Sequence, residues 1–200
     1  MTETTCLVLH RKSANEDSVK QAIRDCRKRG LKFRVLVPYN KKEKPRIVRE
    51  ALNNGARRII AGGGDGTINA VANALLDAGK DHNDVCLGIL PLGTANDFAR
   101  GLELPLGNLS ECLRIACEHE ARAIDVGCLN GRHFVNVASL GFGAEITATT
   151  PVNIKKALGG SAYTLMGLVK ALNLTPYSCK LKVPGEDTIQ GDMLFAAVGN

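Results

Sequence analysis

The chain has 200 residues, 44% of them hydrophobic, enough to bury a core of one large domain or of one domain with part of another. Tryptophan is absent and aromatics make up 4%, which argues against a base-stacking platform for single-stranded nucleic acid. The formal net charge of +6 is uneven: residues 1–60 carry 16 Lys and Arg against 6 Asp and Glu, a solvated basic half or a surface suited to anionic lipid or polyphosphate.

In chain order, residues 5–9 read as a short strand. Residues 13–29 read as a helix with Val19, Ala22, Ile23 and Cys26 on one face, and Gly30 stands where a C-cap is wanted. Residues 33–37 form a second strand ending at Pro38. Pro45 suits a first helical turn whose buried face is Val48, Ala51 and Leu52, closed by Gly55. A third strand over 58–61 runs into Gly62-Gly63-Gly64-Asp65-Gly66-Thr67-Ile68-Asn69, and a helix follows over 67–76. Residues 85–90 form a fourth strand, followed by Pro91-Leu92-Gly93-Thr94-Ala95-Asn96-Asp97 and a helix over 109–118. Strands alternating with helices predict an α/β fold with a parallel sheet covered on both faces and ligands at the C-terminal strand edge.

The pattern changes near residue 123. Strands over 123–129 and 133–138 flank Asn130-Gly131, a hairpin turn signal. A nucleotide-type α/β domain is therefore expected over 1–122, and an incomplete antiparallel β-sandwich domain over 123–200. Within the latter, an amphipathic helix is expected over 158–172, with Lys155 and Lys156 at its start, and strands over 179–183 and 193–198. The chain stops directly after an apolar strand, so more protein is expected to follow.

The seven cysteines show no C-x-x-C spacing and most lie in apolar runs, as buried thiols of a reducing compartment do. No signal peptide is evident, and the uncharged stretch 157–169 is too short to span a bilayer. A cytoplasmic protein is expected. His10, His82, His119 and His133 lack ligand spacing and read as surface residues.

The glycine run carries the chemistry. Glycines let backbone N–H groups approach an anion, and the helix that follows offers its positive end. Asp65 in that position repels a phosphate unless a metal or a proton stands between them, which suggests Mg²⁺-assisted phosphoryl chemistry. Thr67 can cap its helix and donate to phosphate; Asn96 or Asp97 can serve as a plain N-cap. There is no G-x-x-x-x-G-K-[ST], and no G-x-G-x-x-G after the first strand.

Gly63-Gly64-Asp65-Gly66-Thr67 resembles the GGDGT signature of diacylglycerol, sphingosine and NAD kinases and, more remotely, of phosphofructokinases. The run Leu90-Pro91-Leu92-Gly93-Thr94-Ala95-Asn96-Asp97-Phe98-Ala99-Arg100 resembles the diacylglycerol-kinase catalytic domain, and within it the bacterial YegS-like lipid kinases. The likeness continues through Ala123-Ile124-Asp125-Val126, Asn136-Val137-Ala138, Gly141-Phe142-Gly143 and residues 157–163.

The resemblance implies an ATP-dependent kinase acting on a lipid hydroxyl of the diacylglycerol or phosphatidylglycerol class, with peripheral contact at the inner membrane surface. It implies that residues 62–69 with Gly93, Thr94, Asn96 and Asp97 hold ATP. Asp65 would act with Mg²⁺ near the γ-phosphate, and Asp125 would belong to the metal and water network. The alternatives are a kinase for NAD or a long-chain base, or a catalytically impaired nucleotide-binding remnant.

Four departures from the family pattern bear on this. Ala70 stands where a Glu is common. His10-Arg11 follows the first strand in place of an Asn, and Pro38 ends the second in place of a Thr. The family also runs well beyond residue 200, and the resemblance implies that a glutamate general base and a structural Mg²⁺ site would lie in that part.

Overall fold

A computed structural model of the protein describes residues 4–79, 84–141 and 176–200. The described part divides into two compact units, one running to Asn136 and including Asn200, the other spanning Val137–Gly199.

The first unit is built on four strands, β1 (Thr4–Leu9), β2 (Arg34–Leu36), β3 (Ala56–Gly63) and β4 (Cys86–Pro91), all parallel in the order β2-β1-β3-β4. Residues alternate between the two faces. On one side Cys6, Val8, Ile59 and Ala61 meet Val48, Ala51 and Leu52 of α2 (Lys44–Asn53) and Ile68 and Val71 of α3 (Asp65–Leu76). On the other, Leu7, Leu9, Ile60 and Leu90 meet Val19 and Cys26 of α1 (Asp17–Lys28) and Cys112 and Leu113 of α5 (Leu109–Glu118). Leu7, Val8, Ile59 and Ile60 are fully enclosed, so the central strands β1 and β3 are apolar on both sides, as a doubly covered parallel sheet requires, whereas the edge strand β2 carries an exposed Arg34. This is the expected α/β architecture. The short helix α4 (Asp97–Gly101) follows β4.

Two boundaries differ from the sequence reading. β3 extends through Gly62 and Gly63, which pair with Leu90 and Pro91 of β4. A Cβ on Gly62 would lie 2.4 Å from Leu9 Cδ2, so a residue without a side chain lets the ladder continue there. The helix after the loop starts at Asp65, with Gly64 at its N-cap position, and Thr67 lies in the first turn without capping it: its N–H donates to Gly64 O at 2.7 Å.

The hairpin is present but short. β5 (Gly127–Leu129) pairs with β6 (Arg132–Phe134), and Asn130 (φ 50°) and Gly131 (φ 74°) both take the left-handed conformation that a type I′ turn needs. Residues 123–126 lie outside the strand. β6 packs onto α3, where the Asn73 amide donates to His133 O (2.9 Å) and accepts from His133 N (3.2 Å).

In the second unit β7 (Val137–Gly141) pairs antiparallel with β10 (Phe195–Gly199), and β8 (Tyr177–Leu181) with β9 (Ile189–Met193). The polar β9 has no apolar alternation to announce it; its pairing with β8 across a turn at Gly185 (φ 85°) defines it. The predicted helix over 158–172, with Lys155 and Lys156, lies outside the described residues, as do Phe142-Gly143, residues 157–163 and His82. Among the described residues no helix is long and apolar enough to cross a membrane.

All seven cysteines are free. Cys6, Cys26 and Cys112 are buried, and burial raises their thiol pKa. Burial pushes Cys117 up to about 11, from an ordinary 9.0, whereas Cys128 is exposed. A disulfide reagent at pH 8 is therefore expected to modify Cys128 first and to reach Cys6, Cys26, Cys112 and Cys117 only on unfolding, as peptide mapping with and without denaturant would show. Because the raised Cys117 value favours the protonated fold, its contribution is complete below pH 9 and is lost as pH rises from 9 to about 11. The thermal midpoint should fall across that window.

Candidate functional site

The strand order reverses direction at β1: β2 lies to one side of it and β3 to the other. The chain leaving β1 turns into α1 on one face, and the chain leaving β3 turns into α3 on the other. A crevice opens where these loops part, at the C-terminal edge of the sheet, where open α/β sheets bind ligands. It is a cleft of about 400 Å³ walled by Gly64, Asp65, Gly66 and Thr67 of the glycine segment, by Gly93 and Thr94 after β4, and by His10, Lys44 and Ala70.

The two glycine loops are pressed together backbone to backbone. A Cβ on Gly93 would lie 2.5 Å from Gly64 Cα, and one on Gly64 would lie 3.0 Å from Gly93 Cα. The pairing of Gly63 with Pro91 sets this approach, and Leu92 N–H donates to Gly63 O at 2.9 Å to continue it. Thr67 folds back over Gly63, where a Cβ would lie 2.5 Å from its hydroxyl. Gly66 differs: it is exposed, helical and lines the cleft, and a Cβ there would meet nothing within 4 Å.

Asp65 opens α3 and is the single carboxylate on the cleft wall among the described residues. Its Oδ1 accepts from Phe98 N–H at 3.1 Å, tying it to the start of α4. Asn136 fits beside it in either amide orientation, with Nδ2 3.4 Å from Asp65 Oδ1 or, reversed, with its oxygen 3.2 Å from Phe98 N. A carboxylate in the first turn of a helix is favoured by the helix dipole and kept at the same end as any bound anion.

The remaining expected site residues fall in different places. Asn96 is buried in the left-handed conformation (φ 53°), and its side chain is spent on its own loop: Oδ1 accepts from Gly93 N (2.8 Å) and Nδ2 donates to Gly93 O (2.9 Å). It holds Gly93 in position; Asn96 stands at the N-cap of α4, where its carbonyl accepts from Arg100 N–H at 2.9 Å, but its side chain makes no capping bond. Asp97 is exposed at the first residue of α4. Gly62 and Gly63 are buried in the strand, Ile68 is fully buried in the core, and the Asn69 amide oxygen is buried with no hydrogen-bond partner among the described residues. Asp125 is exposed in the segment before β5 and is not among the residues that line the cleft; its backbone oxygen accepts from the Asn200 amide at 2.8 Å.

Two further wall residues are His10 and Lys44. The sequence marks His10 only as standing where the family has an Asn and otherwise reads it as a surface residue, yet it follows β1 directly and lines the cleft, half-buried. His133 is also half-buried, against α3. Lys44 sits in the basic run of residues 41–46, where a solvated lysine is the default reading, yet it is 5% exposed. Pro38 is buried and is not among the lining residues.

The diacylglycerol kinase catalytic domain model matches residues 4–129. The chain is 44% identical over 197 residues to a protein named "Probable lipid kinase YegS-like" from Chromohalobacter salexigens, covering 98% of this chain and 62% of that protein. It is 42% identical over 197 residues to one of the same name from Yersinia pestis, covering 98% and 66%. The chain thus spans less than two thirds of the length of these curated relatives. In fold, a crystal structure of a diacylglycerol kinase from Bacillus anthracis strain Sterne matches with a TM-score of 0.66 at 22% identity, over 99% of this chain and 66% of that one. A second structure from the same strain reaches 0.78 at 24% identity, over 99% and 65%.

Proposed function

The chain belongs to the diacylglycerol kinase catalytic domain family, and from that premise we propose that the protein is an ATP-dependent lipid kinase that transfers the γ-phosphate of Mg-ATP to a lipid hydroxyl of the diacylglycerol or phosphatidylglycerol class. The observation that carries the reading is the convergence of Gly64–Thr67 and Gly93–Thr94, from loops that follow two neighbouring strands, on one cleft at the mouth of a helix.

In this reading the first-turn amides of α3 and the hydroxyls of Thr67 and Thr94 bind and orient the phosphate chain, with the helix dipole favouring its charge. The contact between Gly64 and Gly93 brings the backbone close enough for that. Phosphoryl transfer depends mainly on position and on charge neutralisation, both of which rigid loops supply at little reorganisation cost.

The residues present fit Mg²⁺ of the kind held by one carboxylate together with substrate phosphates. Asp65 faces the cleft, and among the described residues no group of three His, Cys, Asp or Glu forms a protein cage. Bound there, the ion would neutralise charge on the transferred group. Asp125 joins such a network only as a proposal from the resemblance. The lipid acceptor implies peripheral contact with a membrane surface, and the basic residues of 1–60 supply the charge for it.

The test offers labelled γ-phosphate on Mg-ATP to the full-length protein with diacylglycerol, phosphatidylglycerol and NAD in parallel. Label is expected in a lipid. Label in NAD would sink the lipid assignment, and nucleotide binding without any transfer would favour the impaired remnant.

A further inference from the structure

We propose that Asn136 is a positioning residue for Asp65, an amide that turns over to free the carboxylate for a divalent cation and takes up the N–H that the carboxylate lets go. The inference rests on the Mg-nucleotide reading above and adds a residue outside the glycine and N-D-F-A-R motifs.

The start of α4 creates the need. Phe98 is the second residue of that helix, so its N–H has no partner within it. The preceding Asn96 side chain is bound to both backbone groups of Gly93 and does not serve. Asp65 Oδ1, from the first turn of α3, accepts the Phe98 N–H at 3.1 Å. A carboxylate oxygen committed to a protein donor is a poorer ligand for a cation, and withdrawing it would leave a partly buried N–H unpaired.

Asn136 stands at that bond. One end of its amide lies 3.4 Å from Asp65 Oδ1 and 3.2 Å from Phe98 N, and the other end lies 3.3 Å from Val135 O. With nitrogen at the first end, the amide makes one long bond to the carboxylate and turns its oxygen toward the Val135 oxygen. With oxygen there, it accepts from Phe98 N–H and donates to Val135 O, but sets its oxygen against Asp65 Oδ1. A bare carboxylate therefore favours the first orientation, and a carboxylate whose charge is taken up by a cation favours the second. The backbone is held while the amide turns. Asn136 O accepts from Asn200 N–H at 2.8 Å, and three residues earlier the Asn73 amide of α3 bonds both backbone groups of His133. Asn136 is not among the residues that line the cleft, so it acts through Asp65.

Mn²⁺ titrated into the full-length protein, kept in excess so that no ATP is free, tests this through loss of the free-ion paramagnetic resonance signal. Asn136→Leu should raise the dissociation constant of the ion about tenfold, while calorimetry in EDTA finds metal-free ATP bound within about twofold of the unaltered protein. Asn136→Asp, which keeps an acceptor for the Phe98 N–H, should hold the ion at least as tightly as the unaltered protein. In an Asp65→Asn background, Asn136→Leu should change the ion's constant no further. An unchanged constant in Asn136→Leu would overturn the assignment and leave the kinase reading intact. Weaker ion binding in Asn136→Asp too, or an Asn136→Leu loss that persists in full in the Asp65→Asn background, would mark a structural amide and overturn it as well. If Mn²⁺ binds the unaltered ATP complex no better than the Asp65→Asn complex, the cation reading of Asp65 falls and this one with it.

Discussion

Replacing Asp65 with Asn is expected to reduce phosphate transfer by about 10³-fold while the protein stays folded and keeps most of its affinity for ATP. The two effects separate because the carboxylate has two roles. Its Oδ1 accepts from Phe98 N–H, a bond that an Asn oxygen can make equally well, so the link between α3 and α4 survives. What Asn cannot supply is the negative charge that would hold a divalent ion against the phosphates. Transfer rate at saturating Mg-ATP, read beside the thermal midpoint, checks this. A variant that transfers phosphate at the original rate would remove Asp65 from the chemistry. A variant that loses stability and rate together would make it a structural residue.

Gly93→Ala is expected to destabilise the first unit by about 3 kcal/mol and to abolish nucleotide binding with it. The new methyl would be placed 2.5 Å from Gly64 Cα and 2.8 Å from Asn96 Oδ1. Backbone on one side and a doubly hydrogen-bonded amide on the other leave no flexible group to give way. Gly66→Ala is the informative contrast. A Cβ there meets nothing, and Ala is a better helix residue than Gly by up to about 1 kcal/mol, so stability should hold or rise. Because that methyl would enter the cleft where an anion approaches the helix end, ATP affinity should fall by about tenfold or more. Denaturant unfolding and calorimetry on the two variants would show whether one glycine is a packing residue and the other a binding residue. Equal behaviour of the two would contradict the geometry.

The sequence itself determined the parts that rest on local sterics and periodicity. Alternating strands and amphipathic helices specified a doubly covered parallel sheet, because Val19, Ala22 and Cys26 can share a face only in a helix. Asn130-Gly131 specified the hairpin, since few other pairs accept two successive positive φ values. The glycine segment, with Asp65 and Thr67, marked where the cleft lies before any fold was known. Helix limits were less legible: Thr67 looks like a cap, but the loop packs so tightly that the helix begins at Asp65. Only the tertiary structure decided which residues meet there. Lys44 and Thr67 are 23 residues apart, Asp65 and Phe98 33, and no local pattern encodes either contact. They follow from the strand order β2-β1-β3-β4 and from the register that sets Gly63 beside Pro91. That register turns two glycines into a single close contact, brings His10 and Lys44 into a cleft that charge counting would have left them outside, and leaves Asp125 at the surface.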